Sequence, residues 1–227
     1  MRADTPAPAL GGCAEQVREG YLNALLDSDL ITARRVLDEA IAAGMPVRRI
    51  YLDVLQPTLY EVGRRWSHAD ISVAQEHLAT AATQSTMARL SERLSDGRHR
   101  MRPGSAVVAC VSDELHAVGG RMVADFLEAD GWRVAFLGQL TPGQDLAALA
   151  AQQGARLVAL SAALPERVPQ VAEVCSALRG LDPTPFVLVG GQAFGGSPER
   201  ALRTGADAYA PDAEAAAAAV RERFAAS

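Results

Sequence analysis

The sequence predicts an α plus α/β protein, in which a four-helix bundle precedes a doubly wound parallel sheet. In the first part of the chain, apolar residues recur at helical spacing in four segments joined by short connections. After residue 105, short β-branched apolar runs alternate with amphipathic segments, a pattern typical of a parallel sheet flanked by helices. A polar, basic segment at 96–104 separates the two patterns, so we expect domains at 13–95 and 105–227.

Composition and charge narrow the function classes. The 227 residues are 49% hydrophobic and 5% aromatic, which is typical of a globular protein. A net charge of −5 provides no electrostatic attraction for nucleic acid or an anionic membrane. No apolar run approaches the length of a membrane span, and no secretory signal begins the chain, so a cytoplasmic location is expected. Residues 1–12, with two prolines and a glycine pair, are expected to be a disordered leader.

The bundle consists of four predicted helices. Pro57 lies inside the third of them, so we expect a kink or local distortion there. Either Asp70 or Ser72 is the expected N-cap of the fourth. The predicted bounds are Cys13–Leu26, Leu30–Ala43, 47–65 and 72–94.

The second domain is predicted to have a Rossmann or flavodoxin-like sheet of parallel strands. It contains neither G-x-G-x-x-G nor G-x-x-x-x-G-K-[ST], so it lacks the usual phosphate-binding loops of nucleotide cofactors. The predicted strands lie near 106–111, 132–137, 156–161, 186–190 and 207–210. The predicted helices lie near 117–130, 143–153, 168–179, 198–204 and 212–225.

A carboxylate, a histidine and a glycine follow the first predicted strand. Glu114, His116 and Gly119 lie at the carboxyl end of that strand, where open α/β sheets bind their ligands. Glu114 stands two residues before the imidazole and can accept one ring N–H, which would orient a metal-bound histidine and raise its basicity. Gly119 would let the backbone pass close beneath a large flat ligand. The alternative for His116 alone is a solvated loop histidine or a helix cap.

This pattern resembles the E/D-x-H-x-x-G signature of cobalamin-binding domains. The resemblance implies that His116 takes the place of the dimethylbenzimidazole base as the lower axial ligand of cobalt. Two later strand ends agree with it. Ser161 stands where the family has a serine beside the pocket for the nucleotide tail, and Gly190 and Gly191 stand where that tail passes between strand ends. On their own, such glycine pairs usually form turns.

A tryptophan and a Glu-His pair lie between the third and fourth predicted helices. Trp66 precedes Glu76 and His77 with the spacing W-x9-E-H. An indole can stack on adenine, and a carboxylate can accept hydrogen bonds from ribose hydroxyls. The spacing resembles the bundle motif of the cobalamin-dependent photoreceptor family, which implies that Trp66 packs over the adenosyl group of adenosylcobalamin while Glu76 and His77 contact it. The alternative is a core tryptophan beside a solvated Glu-His pair.

The photoreceptor resemblance covers residues about 13–225 and implies a light sensor that is not an enzyme. In this family, photolysis of adenosylcobalamin changes the domain or oligomer arrangement and signals to a partner protein. His68 is the candidate upper cobalt ligand after light, although the family histidine directly follows the tryptophan and Ser67 occupies that position here. The related photocobilins also bind a bilin, so biliverdin is a further candidate chromophore. Arg64 and Arg65 are candidates to pair with its propionates, although adjacent arginines near a helix end are more often solvated.

Only a short leader precedes the first predicted helix, so DNA binding by this chain is not expected. The expected partner is a signalling protein or another copy of the chain, and not a membrane. Two alternatives stay open: a corrinoid methyl-carrier subunit of a methyltransferase system, and a cobalamin store or small mutase-like subunit. The W-x9-E-H motif, which fits a bulky upper ligand, argues against the methyl carrier.

Overall fold

The computed structural model describes residues 10–94 and 104–225, apart from Asp113 and Leu115. The chain divides into a helical unit, Met1–Arg93, and an α/β unit, Leu94–Ser227. Most of the predicted leader and nearly all of the predicted linker lie outside the described residues.

The helical unit contains the predicted bundle of helices, and the first helix begins earlier than expected. It starts at Leu10, inside the predicted leader, rather than at Cys13. The helices of this unit are α1 (Leu10–Leu26), α2 (Leu30–Ala42), α3 (Val47–Arg49), a π-helical segment (Ile50–Leu55), α4 (Gln56–Ser67), α5 (Val73–Leu90) and a 3-10 turn (Ser91–Arg93).

The third predicted helix is wound in three parts rather than one. The expected distortion is present, but it lies before Pro57 and not at it, because proline is tolerated in the first turn of α4. Pro57 has no N–H to donate to the carbonyl four residues earlier. The preceding turn is π-helical instead, and the Gln56 N–H donates to the Tyr51 carbonyl.

Ser72, and not Asp70, caps α5. The Ser72 hydroxyl accepts from the Gln75 N–H at 3.2 Å, and the Gln75 side chain accepts from the Ser72 N–H at 3.0 Å. This capping box satisfies two backbone donors at once, which Asp70 is placed too early to do. The α5 helix therefore begins where the serine and the glutamine are three residues apart.

Two buried tyrosines hold the helices of this unit together. Tyr21 and Tyr51 are both almost fully buried. The Tyr21 hydroxyl lies 3.1 Å from the Thr83 hydroxyl, and the Tyr51 hydroxyl donates to the Met87 carbonyl at 3.1 Å. Each buried hydroxyl thus has a partner on α5, as buried polar groups require.

The α/β unit is a parallel sheet covered by helices on both faces, as the sequence predicts. Successive residues of its first strand point to opposite faces, so Ala106 and Val108 pack towards one group of helices, and Val107 and Ala109 towards the other. The strands are β1 (Ser105–Cys110), β2 (Arg133–Gly138), β3 (Leu157–Ser161), β4 (Phe186–Gly190) and β5 (Ala208–Ala210), in the order β2-β1-β3-β4-β5. The α-helices are α6 (Val118–Ala129), α7 (Gly143–Gln152), α8 (Val168–Arg179), α9 (Pro198–Leu202) and α10 (Ala213–Phe224).

Both faces of the sheet have apolar cores. One is formed with α7 and α8, through residues such as Leu146, Val171 and Val174. The other is formed with α6 and α10, through residues such as Leu127 and Val220. Among the described residues, no helix has the length and apolar character needed to cross a bilayer.

Candidate cofactor-binding site

The candidate site lies at the carboxyl edge of the parallel sheet. The strand order changes direction at β1, and such a switch point opens a crevice between the loops that follow the neighbouring strands. Cys110, Ser161 and Gly190, at the ends of β1, β3 and β4, are paired in register. The structure therefore brings six predicted residues to this edge: Glu114, His116, Gly119, Ser161, Gly190 and Gly191.

Glu114 and His116 form a hydrogen-bonded pair in the loop after β1. The His116 Nδ1 atom lies 2.5 Å from the Glu114 Oε1 atom, and the His116 backbone N–H donates to the same oxygen at 2.9 Å. The second carboxylate oxygen, Oε2, accepts from the Ala163 N–H at 2.7 Å. Glu114 is fully buried, whereas the His116 side chain is 55% exposed. The imidazole is thus held by a fixed carboxylate while much of its ring faces outwards.

The charge of Glu114 determines the tautomer of His116. Burial raises the pKa of Glu114, but the hydrogen bonds from the His116 ring and from the Ala163 and His116 amides lower this pKa to about 2. The carboxylate is therefore ionised near neutral pH and can only accept hydrogen bonds. Nδ1 must then carry the proton, which leaves the lone pair on Nε2, the nitrogen that a metal would take.

Gly119 and Gly120, at the start of α6, differ in the free space beside their Cα atoms. A Cβ atom on Gly119 would meet only one described atom within 4 Å, the Ser161 Oγ at 3.8 Å. A Cβ atom on Gly120 would lie 3.5 Å from Cys110, Phe136 and Ser161 atoms. The described protein atoms leave room for a side chain at Gly119. A ligand lying over the start of α6 would use that room.

At Gly190 and Gly191, the neighbouring backbone leaves no space for a side chain. A Cβ atom on Gly190 would collide with the Ala210 carbonyl oxygen, and one on Gly191 would collide with the Ala162 carbonyl oxygen. Gly191 also has a φ of +104°, which side-chain-bearing residues rarely adopt. These contacts account for both glycines without a ligand, so their predicted role at the nucleotide tail stays a prediction.

In the helical unit, Trp66, Glu76 and His77 lie near the α4–α5 connection. Trp66 is 48% exposed, so the alternative of a core tryptophan does not describe it. The Glu76 carboxylate accepts from the Thr80 hydroxyl at 2.8 Å, and its other oxygen lies 3.6 Å from the His77 Nε2 atom. His77 is 75% exposed. The end of α4 and the start of α5 therefore present an indole, a carboxylate and an imidazole at one end of the unit.

The remaining candidates of the helical unit have local partners. The His68 Nδ1 atom lies 2.8 Å from the Arg64 carbonyl oxygen, at the C-terminal end of α4. Arg64 and Arg65 both donate to Glu61, at 2.7 Å each through their Nε atoms. These hydrogen bonds, with burial acting against them, hold the pKa of Glu61 at about 2. The two arginines thus neutralise a neighbouring carboxylate, and nothing in this arrangement supports bilin binding.

One participant in the site was missed from the sequence. The Ala163 backbone N–H, which follows β3, anchors the Glu114 carboxylate. No sequence signal marks it, since every residue except proline has such a group and only the strand pairing brings it close. The Ser-Ala-Ala-Leu stretch beginning at Ser161 therefore contributes a backbone donor as well as the predicted serine.

Comparisons with known proteins identify both units. A family model described as a B12 binding domain matches residues 104–221, more than half of the chain. A second model with the same description matches residues 17–91.

Individual relatives agree with these matches. The HTH-type transcriptional repressor CarH of Myxococcus xanthus is 38% identical over 133 residues, 59% of this chain and 43% of CarH. The repressor CarA of the same organism is 36% identical over 183 residues, 78% of this chain and 59% of CarA. The chain therefore spans about half the length of these relatives. A solved structure, the monomethylamine corrinoid protein of Methanosarcina barkeri, shares the fold with a TM-score of 0.80 at 23% identity, covering 92% of this chain and 99% of that one.

Proposed function

The chain belongs to the B12 binding domain family and binds cobalamin, and we propose that it does so as a light sensor. It is a cofactor-binding protein and not an enzyme, in keeping with the repressors CarH and CarA among its relatives. In the proposed function, light acts on bound adenosylcobalamin, and the change in protein contacts alters the assembly of the chain or its binding to a signalling partner. Bound adenosylcobalamin would supply a cobalt–carbon bond that visible light can break.

The residues at the sheet edge fit a corrinoid. We assign the lower axial ligand to His116 Nε2. The observation that carries this assignment is the pairing of Nδ1 with a buried, ionised Glu114 at 2.5 Å. A carboxylate in this position orients the imidazole and strengthens it as a ligand. The room above Gly119 suits a flat macrocycle, and Ser161, Gly190 and Gly191 are assigned to the side of its nucleotide tail.

The adenosyl group is assigned to Trp66, Glu76 and His77. The half-exposed indole of Trp66 offers a flat apolar face, and adenine is a flat ring that can stack on indole. Glu76 can accept from ribose hydroxyls. After light, His68 is the assigned upper ligand, since its Nδ1 is already held by the Arg64 carbonyl. Bilin binding is not part of the proposal, because Arg64 and Arg65 are both engaged by Glu61.

The methyl-carrier alternative differs from the light sensor in the upper ligand of cobalt, which would be a methyl group and not an adenosyl group. The likeness to the monomethylamine corrinoid protein is one of fold and does not decide between the two. A methyl carrier has no use for a residue set that covers an adenosyl group. The test is whether green light changes the assembly or partner binding of protein loaded with adenosylcobalamin. No change would favour the carrier or the cobalamin store.

A further inference from the structure

Leu140 combines two features that folding alone disfavours. It lies in the loop between β2 and α7, where its φ of +58° is in the left-handed region. Its side chain is also 54% exposed. An L-residue in this region suffers a steric clash that glycine avoids, and an exposed leucine leaves apolar surface in water.

Just before this loop, at the end of β2, a glycine adopts the same backbone conformation. Gly138, two residues earlier, has a φ of +68°. In the described part of the chain, the other non-glycine residues with positive φ are Ser28 and Ala69, both small. A bulky residue held in an unfavourable conformation points to function when it lies at a binding site.

Leu140 lies at the candidate cofactor site. Its loop leaves the carboxyl end of β2, the strand beside β1. The Ser112 hydroxyl donates to the Thr141 carbonyl at 3.3 Å, which ties this loop to the one that carries His116. The residue therefore stands at the same sheet edge as the Glu114–His116 pair.

The strand order determines which part of a corrinoid Leu140 can reach. The glycine pair lies at the end of β4, whereas Leu140 follows β2, on the other side of β1. With neighbouring strands about 4.8 Å apart, the ends of β2 and β4 are separated by roughly 14 Å. Leu140 is thus remote from the strand ends assigned to the nucleotide tail and close to those assigned to the cobalt ligand.

We propose that Leu140 is a cofactor-contacting residue whose side chain packs against the methyl-bearing rim of the corrin ring. This rests on the proposed cofactor site at His116. The apolar rim removes the exposed part of the leucine from water. Binding therefore gains the free energy of burying this apolar surface, which the apoprotein leaves exposed. The left-handed backbone aims the side chain at the ligand.

The experiment compares hydroxocobalamin binding with apoprotein stability in darkness. Leu140→Gly removes the side chain and suits the left-handed backbone, and Leu140→Met keeps an apolar side chain. Ser28→Gly is the matched control for relief of positive φ, and Leu202→Ala is the control for loss of an exposed leucine. Leu202 ends α9, before β5, and so lies at the amino edge of the sheet. Dissociation constants come from absorption titrations, and melting temperatures from circular dichroism.

Leu140→Gly should bind hydroxocobalamin about tenfold more weakly, from the loss of part of one apolar contact. Its apoprotein should melt within about 2 °C of wild type or higher, because strain is relieved. Leu140→Met should bind within about twofold of wild type. Ser28→Gly and Leu202→Ala should bind as wild type does.

Two outcomes would overturn the proposal. One is unchanged binding by Leu140→Gly, and the other is a large fall in its apoprotein melting temperature, which would make Leu140 a packing residue. His116→Ala separates this failure from failure of the site itself. If His116→Ala loses the histidine-ligated spectrum and Leu140→Gly binds normally, only the Leu140 assignment is wrong. If His116→Ala is also normal, the cofactor site is wrong.

Discussion

At the residue scale, one carboxylate determines what His116 can do. Glu114 is fully buried and ionised, and its two oxygens accept from the imidazole, from the His116 amide and from the Ala163 amide. A buried charge with several donors is stable only if those donors remain in place. The imidazole therefore stabilises the buried carboxylate, and the carboxylate in turn orients the imidazole. The proposed cobalt ligand, His116 Nε2, therefore depends on the same carboxylate that holds Nδ1.

This pairing predicts two different spectral results. His116→Ala should weaken cobalamin binding and shift the absorption spectrum away from that of histidine-ligated cobalamin. Glu114→Gln preserves the side-chain volume and removes the charge, so it should keep a histidine-ligated spectrum and weaken binding by about 10–100-fold, as losses next to a metal ligand do. Absorption titration with hydroxocobalamin measures both effects.

Two controls accompany these variants. His68→Ala should leave the dark spectrum unchanged, because His68 lies in the helical unit with its Nδ1 at the Arg64 carbonyl. Glu199→Gln removes a carboxylate that is 81% exposed, and it should not alter binding. An unchanged spectrum in His116→Ala would show that His116 is not the cobalt ligand.

At the element scale, strands and helices followed from the sequence more closely than did the details of the site. All five predicted strands agree with the structure to within about one residue at each end, because buried parallel strands are short apolar runs bounded by turns. The π-helical segment before Pro57 could not be predicted, since the sequence indicates only that the helix is disturbed. The Ala163 amide and the strain at Leu140 depend on strand pairing and loop geometry, which leave no residue-type signal.

Gly191, after β4, and Gly119, at the start of α6, are glycines for different physical reasons. Substitution by alanine should therefore have opposite effects on stability at the two positions. Gly191→Ala should lower the free energy of unfolding by about 2 kcal/mol or more, because its φ is +104° and its Cβ would collide with the Ala162 carbonyl. Gly119→Ala should preserve stability or raise it by up to about 1 kcal/mol, since alanine favours a helix. Its added methyl group should nevertheless weaken cobalamin binding. Urea unfolding of apoprotein and cobalamin titration separate the two effects.

Each glycine variant is the control for the other. Equal loss of stability in both would mean that Gly119 is needed for packing. Normal cobalamin binding by Gly119→Ala would mean that the corrin ring does not lie over the start of α6.

The exposed tryptophan at the end of α4 predicts selectivity for the upper ligand. Trp66→Ala should bind hydroxocobalamin within about twofold of wild type and adenosylcobalamin about tenfold more weakly, since only the latter offers an adenine to stack on. Tyr60→Ala is the matched control, because Tyr60 lies on the same helix and is 47% exposed. Parallel titrations in darkness provide the comparison. Equal losses for both cobalamins would assign Trp66 to packing alone.

At the scale of the whole molecule, photolysis by itself is not sensing. The cobalt–carbon bond breaks under visible light in any surroundings, so a sensor must differ in protein contacts between its two states. A ligand shifts an equilibrium only by the difference between its affinities for the two states. Reversing a population from 1:99 to 99:1 needs about 5.5 kcal/mol. Trp66, Glu76 and His77 are the residues proposed to provide that difference, through contacts with the adenosyl group that light abolishes.

Green light should therefore change the oligomeric state or the dimensions of protein loaded with adenosylcobalamin. Size-exclusion chromatography and X-ray scattering, in darkness and after illumination, measure the change, while absorbance confirms photolysis. Protein loaded with hydroxocobalamin, which carries no adenosyl group, should give the same profiles before and after light. Trp66→Ala should respond less than wild type, because its dark state lacks the stacking contact. Identical dark and light profiles after complete photolysis would contradict the sensor and favour a methyl carrier or a cobalamin store.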